Sequence, residues 1–137
     1  MKKELTVEAV VSNLDSVHDF IHSSISQYKC SNRTIMQLDL VVEEIFVNIA
    51  SYAYAPNTGL AKILLELEQE PLTITLTFID TGVPYDPLSK VDPDINLDVE
   101  DRQIGGLGIF LTKKMVDDIN YQYSDGQNIL QLTKSLT

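Results

Sequence analysis

The stretch from Leu60 to Asp80 reads LAKILLELEQEPLTITLTFID, two β-rich runs on either side of Gln69-Glu70-Pro71. In Leu60 to Glu68 and again in Leu72 to Ile79, apolar residues stand at every second position. That is the period of a pleated strand with one covered face. Three polar or Pro residues between them fit a hairpin turn, so the two strands are expected to pair antiparallel. A sheet with one apolar face needs helices to cover it, and the flanking sequence supplies them.

Upstream, Leu5, Val7, Ala9 and Val11 alternate as an early strand. Asn13 then opens a helix whose stripe is Leu14, Val17, Ile21, Ile25 and Tyr28, with Asp15, Asp19 and Ser23 facing away. Ser31-Asn32-Arg33 breaks this helix. Thr34 and Gln37 have capping-box spacing for a second, longer one. Its stripe of Ile35, Leu38, Val42, Ile45, Ile49 and Ala53 runs up to the stop at Pro56-Asn57-Thr58-Gly59. Downstream, Leu107, Phe110, Leu111 and Met115 mark a third helix starting at glycines, and a last hairpin turns at Asp125-Gly126. The expected fold is a single α/β two-layer sandwich over residues 1–137, a mixed, largely antiparallel sheet with helices on one face.

Composition narrows the function classes. With 44% hydrophobic and 22% charged residues, the 137-residue chain can build one ordinary core. A net charge of −10 argues against direct nucleic-acid binding, which needs clustered Lys and Arg. It leaves room for a polyphosphate held by backbone amides and a divalent cation. The single cysteine, Cys30, cannot close an intrachain disulfide. No run of about 18 apolar residues suggests a membrane span, so a cytoplasmic protein without membrane contact is expected.

Three segments could carry chemistry. Glu44 and Asn48 lie four apart on the second helix and share a flank beside its apolar stripe. Alone, such a pair is usually a solvated helix face. Asp80 ends an apolar strand and precedes Gly82, where the missing Cβ permits close approach, and a carboxylate there can accept a hydrogen bond from an exocyclic amine such as adenine's. The bland reading of Asp-Thr-Gly is a turn. Gly105-Gly106-Leu107-Gly108 opens a helix, where orphan amides and the positive dipole end form an anion seat. It is neither a Walker A loop nor a dinucleotide fingerprint. Between Thr81 and Ile104 the chain is rich in Pro, Asp and Gly and long for a passive connection, which suggests a functional loop.

Taken in order, these segments resemble the motif set of the Bergerat-fold ATPases. More closely, Val42-Glu43-Glu44-Ile45-Phe46-Val47-Asn48, Asp80-Thr81-Gly82-Val83-Pro84-Tyr85-Asp86-Pro87 and Gly105-Gly106-Leu107-Gly108-Ile109 resemble the bacterial anti-sigma factor serine/threonine kinase family. The resemblance implies ATP and Mg2+ as ligands, Glu44 as catalytic base toward a hydroxyl, and Asn48 as Mg ligand. It implies Asp80 as reader of the adenine amine and Gly82 beneath the base. Pro84, Gly105, Gly106, Leu107 and Gly108 complete the nucleotide set, and Thr81 to Ile104 becomes a lid. It also implies a sigma factor and an anti-anti-sigma antagonist as partners, and a homodimer. Tyr85 and Tyr52 depart from the Phe and His common in the family. Gln127 stands where a Thr is frequent, and Arg102 lies near where some members bind phosphate.

Two rival functions remain open: a non-catalytic, nucleotide-dependent protein-binding module, and a histidine-kinase catalytic domain. His18 and His22 have metal-like spacing on the first helix without an evident third ligand.

Overall fold

In a computed structural model, residues 1–89 and 106–137 are described, and of residues 106 and 107 only the backbone. Gly105, Arg102 and most of the expected lid therefore lie outside the described residues. The elements run β1 (Lys2–Glu8), α1 (Leu14–Ile25), α2 (Asn32–Asn48), β2 (Leu60–Glu68), β3 (Thr73–Asp80), α3 (Gly106–Met115), β4 (Asp118–Ser124) and β5 (Gln127–Ser135). They follow the order read from the sequence.

The five strands form one sheet in the order β1-β2-β3-β5-β4, and every pairing is antiparallel. The expected mixed sheet is thus a purely antiparallel one among the described residues. The chain leaving β3 passes through α3 and lays down β4 at the edge, so the strand that returns beside β3 is β5. Period-2 patterning selects the covered face: Ala61, Ile63, Leu65 and Leu67 of β2, Ile74, Leu76 and Phe78 of β3, and Leu130 and Leu132 of β5 are buried. The other face carries Thr6, Lys62, Glu66, Thr75, Gln131 and Thr133 across the same registers.

Helix stripes meet that face. Val17, Ile21 and Ile25 from α1, and Leu38, Val42, Ile45, Ile49 and Ala53 from α2 and its extension, are buried as their spacing requires. Val41 and Phe46 join them, widening the α2 stripe to about half the helix surface. Val11, read as a strand residue, is instead exposed in a short helical turn before α1.

The start of α2 differs from the sequence reading. Its cap is Ser31, whose Oγ accepts a hydrogen bond from the Thr34 amide at 3.1 Å, so the helix begins at Asn32 rather than after Thr34. Ser31 holds extended backbone angles there, as an N-cap must, and Thr34 already sits in the first turn. The far end also differs. Regular α-helix stops at Asn48, and residues Ile49–Ala53 form a wider π-helical turn. Val83 of the loop after β3 donates its amide to Ala53 O at 2.9 Å, capturing a carbonyl that the helix end leaves open.

Lys134 of β5 is buried on the helix-facing side, 6% exposed. Its Nζ donates to Gln37 Oε1 of α2 at 3.2 Å and to Met115 O at the end of α3 at 2.5 Å. An ammonium at a helix C-terminus is well placed for the dipole. Burial nevertheless lowers its pKa from the ordinary 10.5, with Asp117 acting the other way. In the interval just below 10.5 the unfolded chain therefore binds more protons at this position than the folded one. Stability should rise as pH climbs through that interval and level off above it. Urea denaturation at a series of alkaline pH values is expected to show this rise in the wild type and to lose that component in Lys134→Met.

Candidate nucleotide site

The sheet delivers Asp80 to the end of β3 and pairs it directly with Asn128 of β5. Both lie on the helix-facing side and both are 6% exposed. A buried carboxylate is costly unless hydrogen-bonded, and two donors meet Asp80 Oδ1: the Gly82 amide at 2.9 Å and Asn128 Nδ2 at 2.9 Å. Among the described residues Oδ2 has no hydrogen-bond partner. Asp80 lines a cavity of about 470 Å³, counting its open mouth. The remaining walls are mainly apolar: Ile45, Ile49 and Ala53 from the end of α2, Phe78 and Leu130 from the sheet, and Ile109 from α3. A concave apolar slot with a few aimed polar groups is the usual form of a small-molecule site.

Asn48 enters the same cavity from α2, in the last regular turn before the π-helical one. Such local widenings recur at functional sites. Here it keeps the following residues, Ile49 and Ala53, in the cavity wall. Asn48 Nδ2 donates to Glu44 Oε1 at 3.3 Å, and among the described residues the amide oxygen of Asn48 has no donor. Glu44 itself lines a second, open groove between α2 and α3, with Leu40, Val47, Leu111 and Met115. The Glu44–Asn48 hydrogen bond is thus the point where an enclosed slot and an open groove meet.

Close approach explains two of the glycines. A Cβ built on Gly108 would lie 2.2 Å from Glu44 Cδ, the far end of a flexible side chain, so a side chain at this position would displace the Glu44 carboxylate. A Cβ on Gly82 would lie 2.1 Å from Ala53 O. Gly82 therefore owes its identity to the close approach of the π-helical turn. It is absent from the cavity lining, where Val83, Tyr85 and Pro87 stand. Pro84, counted with the site from the sequence, is exposed and also off the lining. Gly106 is the first residue of α3, followed by Leu107 and Gly108, so these residues supply amides that have no intrahelical acceptor.

Sequence reasoning missed Asn128 and Tyr121. Gln127, noted above as a departure, is on the opposite strand face, and Asn128 is the residue buried at the cavity. Alternation counted back from Leu130 and Leu132 would have placed Asn128 inside. Tyr121 of β4 donates its hydroxyl to Asn128 Oδ1 and lines the cavity. Burial raises its pKa above the ordinary 10.0, a backbone hydrogen bond at Tyr85 works against this, and Asp86 and Asp80 add to the rise. The phenol therefore stays a donor through neutral pH. Tyr52 and Tyr85, both in the cavity lining, form a tilted ring pair with centroids 6.1 Å apart.

Other candidates have structural partners. His18 and His22 stack at 5.9 Å and both engage Asp39 of α2, His22 Nε2 at 2.6 Å from Oδ1 and His18 Nε2 at 3.3 Å from the backbone oxygen. They join α1 to α2. Asp117 accepts the Ser135 amide at 2.6 Å. Cys30 is half-buried, and desolvation raises its thiol pKa, away from nucleophilic reactivity. No helix among the described residues is long and apolar enough to cross a membrane.

A family model described as the histidine kinase-like ATPase domain matches residues 7–134. The chain belongs to this family. Within it, the chain is 32% identical over 130 residues to the serine/threonine-protein kinase BtrW of Bordetella bronchiseptica, covering 95% of this chain and 89% of BtrW. It is 33% identical over 100 residues to the serine-protein kinase RsbW of Bacillus cereus, covering 70% of this chain and 61% of RsbW. The enzyme class expected from the sequence is the one these relatives carry in their names. The fold matches the RsbU and RsbW domains of a Mycobacterium tuberculosis protein with a TM-score of 0.68 at 13% identity, over 99% of this chain and 32% of that one. ATP binding is the property this family's description implies.

The Gly82 contact is testable apart from any activity. Gly82→Ala should cost about 1–3 kcal/mol in denaturant unfolding, since a backbone oxygen has to move to admit the methyl group. An unchanged midpoint would mean that the turn is not held against Ala53.

Proposed function

We propose that the chain is a serine/threonine protein kinase that binds Mg-ATP in the Asp80 cavity and phosphorylates a small antagonist protein. In the same reading it sequesters a sigma factor when that antagonist is not engaged. The observation that carries the nucleotide part is the buried Asp80, one oxygen committed to two donors and the other without a partner among the described residues. A carboxylate can only accept, so the free oxygen suits the exocyclic amine of adenine. The apolar lining from Ile49, Ala53 and Leu130 suits a purine ring.

Each further role follows from position. The amide oxygen of Asn48 is a hard ligand of the type magnesium accepts, and bound Mg2+ would supply neutralisation of phosphate charge. The open amides at the start of α3 would hold phosphate oxygens. Glu44, at the junction of the slot and the open groove, can take the proton from a serine or threonine hydroxyl arriving through the groove. Phosphoryl transfer needs little more from a protein than such positioning and charge compensation. Support for the partners is narrower. It comes from the motif resemblance and from the kinase names of the relatives, so sigma-factor sequestration, the antagonist and a homodimer are parts of the proposal.

Two substitutions separate binding from transfer. Glu44→Gln should keep ATP affinity within a few-fold while phosphotransfer from labelled ATP to a cognate antagonist falls by about 100-fold or more. Full transfer by this variant would remove Glu44 as the base. Asp80→Asn should weaken ATP binding in calorimetric titration by about tenfold to a hundredfold, since a buried acceptor exchanged for an amide costs on the order of 1–3 kcal/mol. Equal affinities would place the base elsewhere.

A further inference from the structure

Every hydrogen-bonding capacity of the Asn128 side chain is used inside the protein. Nδ2 donates to Asp80 Oδ1 at 2.9 Å and to Val83 O at 2.9 Å, with Gly82 O at 3.4 Å sharing the second hydrogen. Oδ1 accepts from the Tyr85 amide at 3.1 Å and from the Tyr121 hydroxyl. Two donated and two accepted bonds exhaust a carboxamide. Asn128 therefore has nothing left with which to contact a ligand, although it lines the cavity.

The surroundings permit only one orientation of this amide. Turned over, its NH2 would face the Tyr85 N–H, and its oxygen would face the Asp80 carboxylate and the Val83 carbonyl. The Tyr121 phenol adds a second donor on the oxygen side, and its raised pKa keeps that donor protonated. Four groups from three segments of chain thus fix the amide, and the amide fixes Asp80. With Oδ1 accepting from both Asn128 and the Gly82 amide, rotation of the carboxylate is restricted, and Oδ2 is left without a partner among the described residues at the cavity that Asp80 lines. The same side chain ties the Gly82–Tyr85 turn, which carries the cavity walls Val83 and Tyr85, to β5.

We propose that Asn128, locked by Tyr121, is a positioning residue for base selection: it orients the Asp80 carboxylate so that a 6-amino purine is taken in preference to a 6-oxo purine. This rests on the reading of Asp80 as the acceptor for the adenine amine. Released from Asn128, the carboxylate can rotate and its contact with the amine weakens. The apolar contacts with the purine ring, common to 6-amino and 6-oxo bases, are affected alike for both. The signature is a loss of discrimination, beyond any general loss of affinity.

The test is calorimetric titration of the full chain with ATP and with ITP, both with Mg2+, for wild type, Asn128→Ala and Tyr121→Phe, with circular dichroism to establish folding. Wild type should prefer ATP. Asn128→Ala should reduce the ATP-to-ITP affinity ratio by about tenfold, the value of one well-formed hydrogen bond. Tyr121→Phe, which removes a single oxygen and keeps the ring in the cavity wall, should reduce it by about threefold. A wild type that binds ATP and ITP alike would overturn the Asp80 reading and the proposal with it. A wild type that discriminates, with both folded variants keeping its ratio, would overturn the positioning role alone. If Asn128→Ala does not fold, the ratio for Tyr121→Phe decides: narrowed, it supports the lock, and unchanged, it refutes it.

Discussion

A carboxylate buried at the end of a central strand is the constraint around which the rest of this site is organised. Left without donors, Asp80 would cost more than any neighbouring apolar contact returns. The fold answers with two donors from opposite directions. One is local, the Gly82 amide two residues on, and the other comes across the sheet from Asn128. Because both bind the same oxygen, the carboxylate is half satisfied among the described residues, at the wall of the cavity. A group that is stable in the fold and still able to accept a hydrogen bond is what a recognition site requires.

The turn after β3 follows from that solution. For its amide to reach Asp80, Gly82 must bring the chain against the end of α2, where the π-helical turn presents Ala53 O to Val83. Tyr54 reinforces the junction by accepting the Thr81 amide at 2.8 Å and donating to Leu60 O at 2.6 Å. The end of α2 is thereby fixed relative to β3, and with it Asn48 and Glu44, one turn apart on the helix. On the other side Gly108 lets α3 close onto Glu44. The Asp80 cavity, the start of α3 and the Glu44–Asn48 junction are held by one chain of close contacts. A substitution at either glycine is therefore transmitted to the neighbouring functional group.

Much of this was legible from residue order. Strand alternation in Leu60 to Asp80, the stripes of α1 and α2 and the Asp125-Gly126 turn, where both residues have positive φ, are local signals and were read directly. Helix boundaries were less legible. Ser31 and Thr34 are both plausible caps by composition, and only the hydrogen bond between them decides that Ser31 lies outside the helix and Thr34 within it. The extension of the α2 stripe to Ala53 was correctly read as buried. Its change from α to π winding was not legible, and neither was the contact it makes with the amide of Val83, a residue thirty positions away from Ala53 in sequence.

By itself, the sequence determined the element order, the covered face of the sheet and the types of residue able to meet a nucleotide, because periodicity, capping and side-chain chemistry act over a few neighbouring positions. Tertiary structure alone decided which of those residues share a cavity. It set Asn128 opposite Asp80 through the β3–β5 register, removed Pro84 and Gly82 from the cavity wall, and put Glu44 on a separate groove. Each of these depends on segments far apart in the chain arriving at a common register, and that register is set by the packing of whole strands and helices.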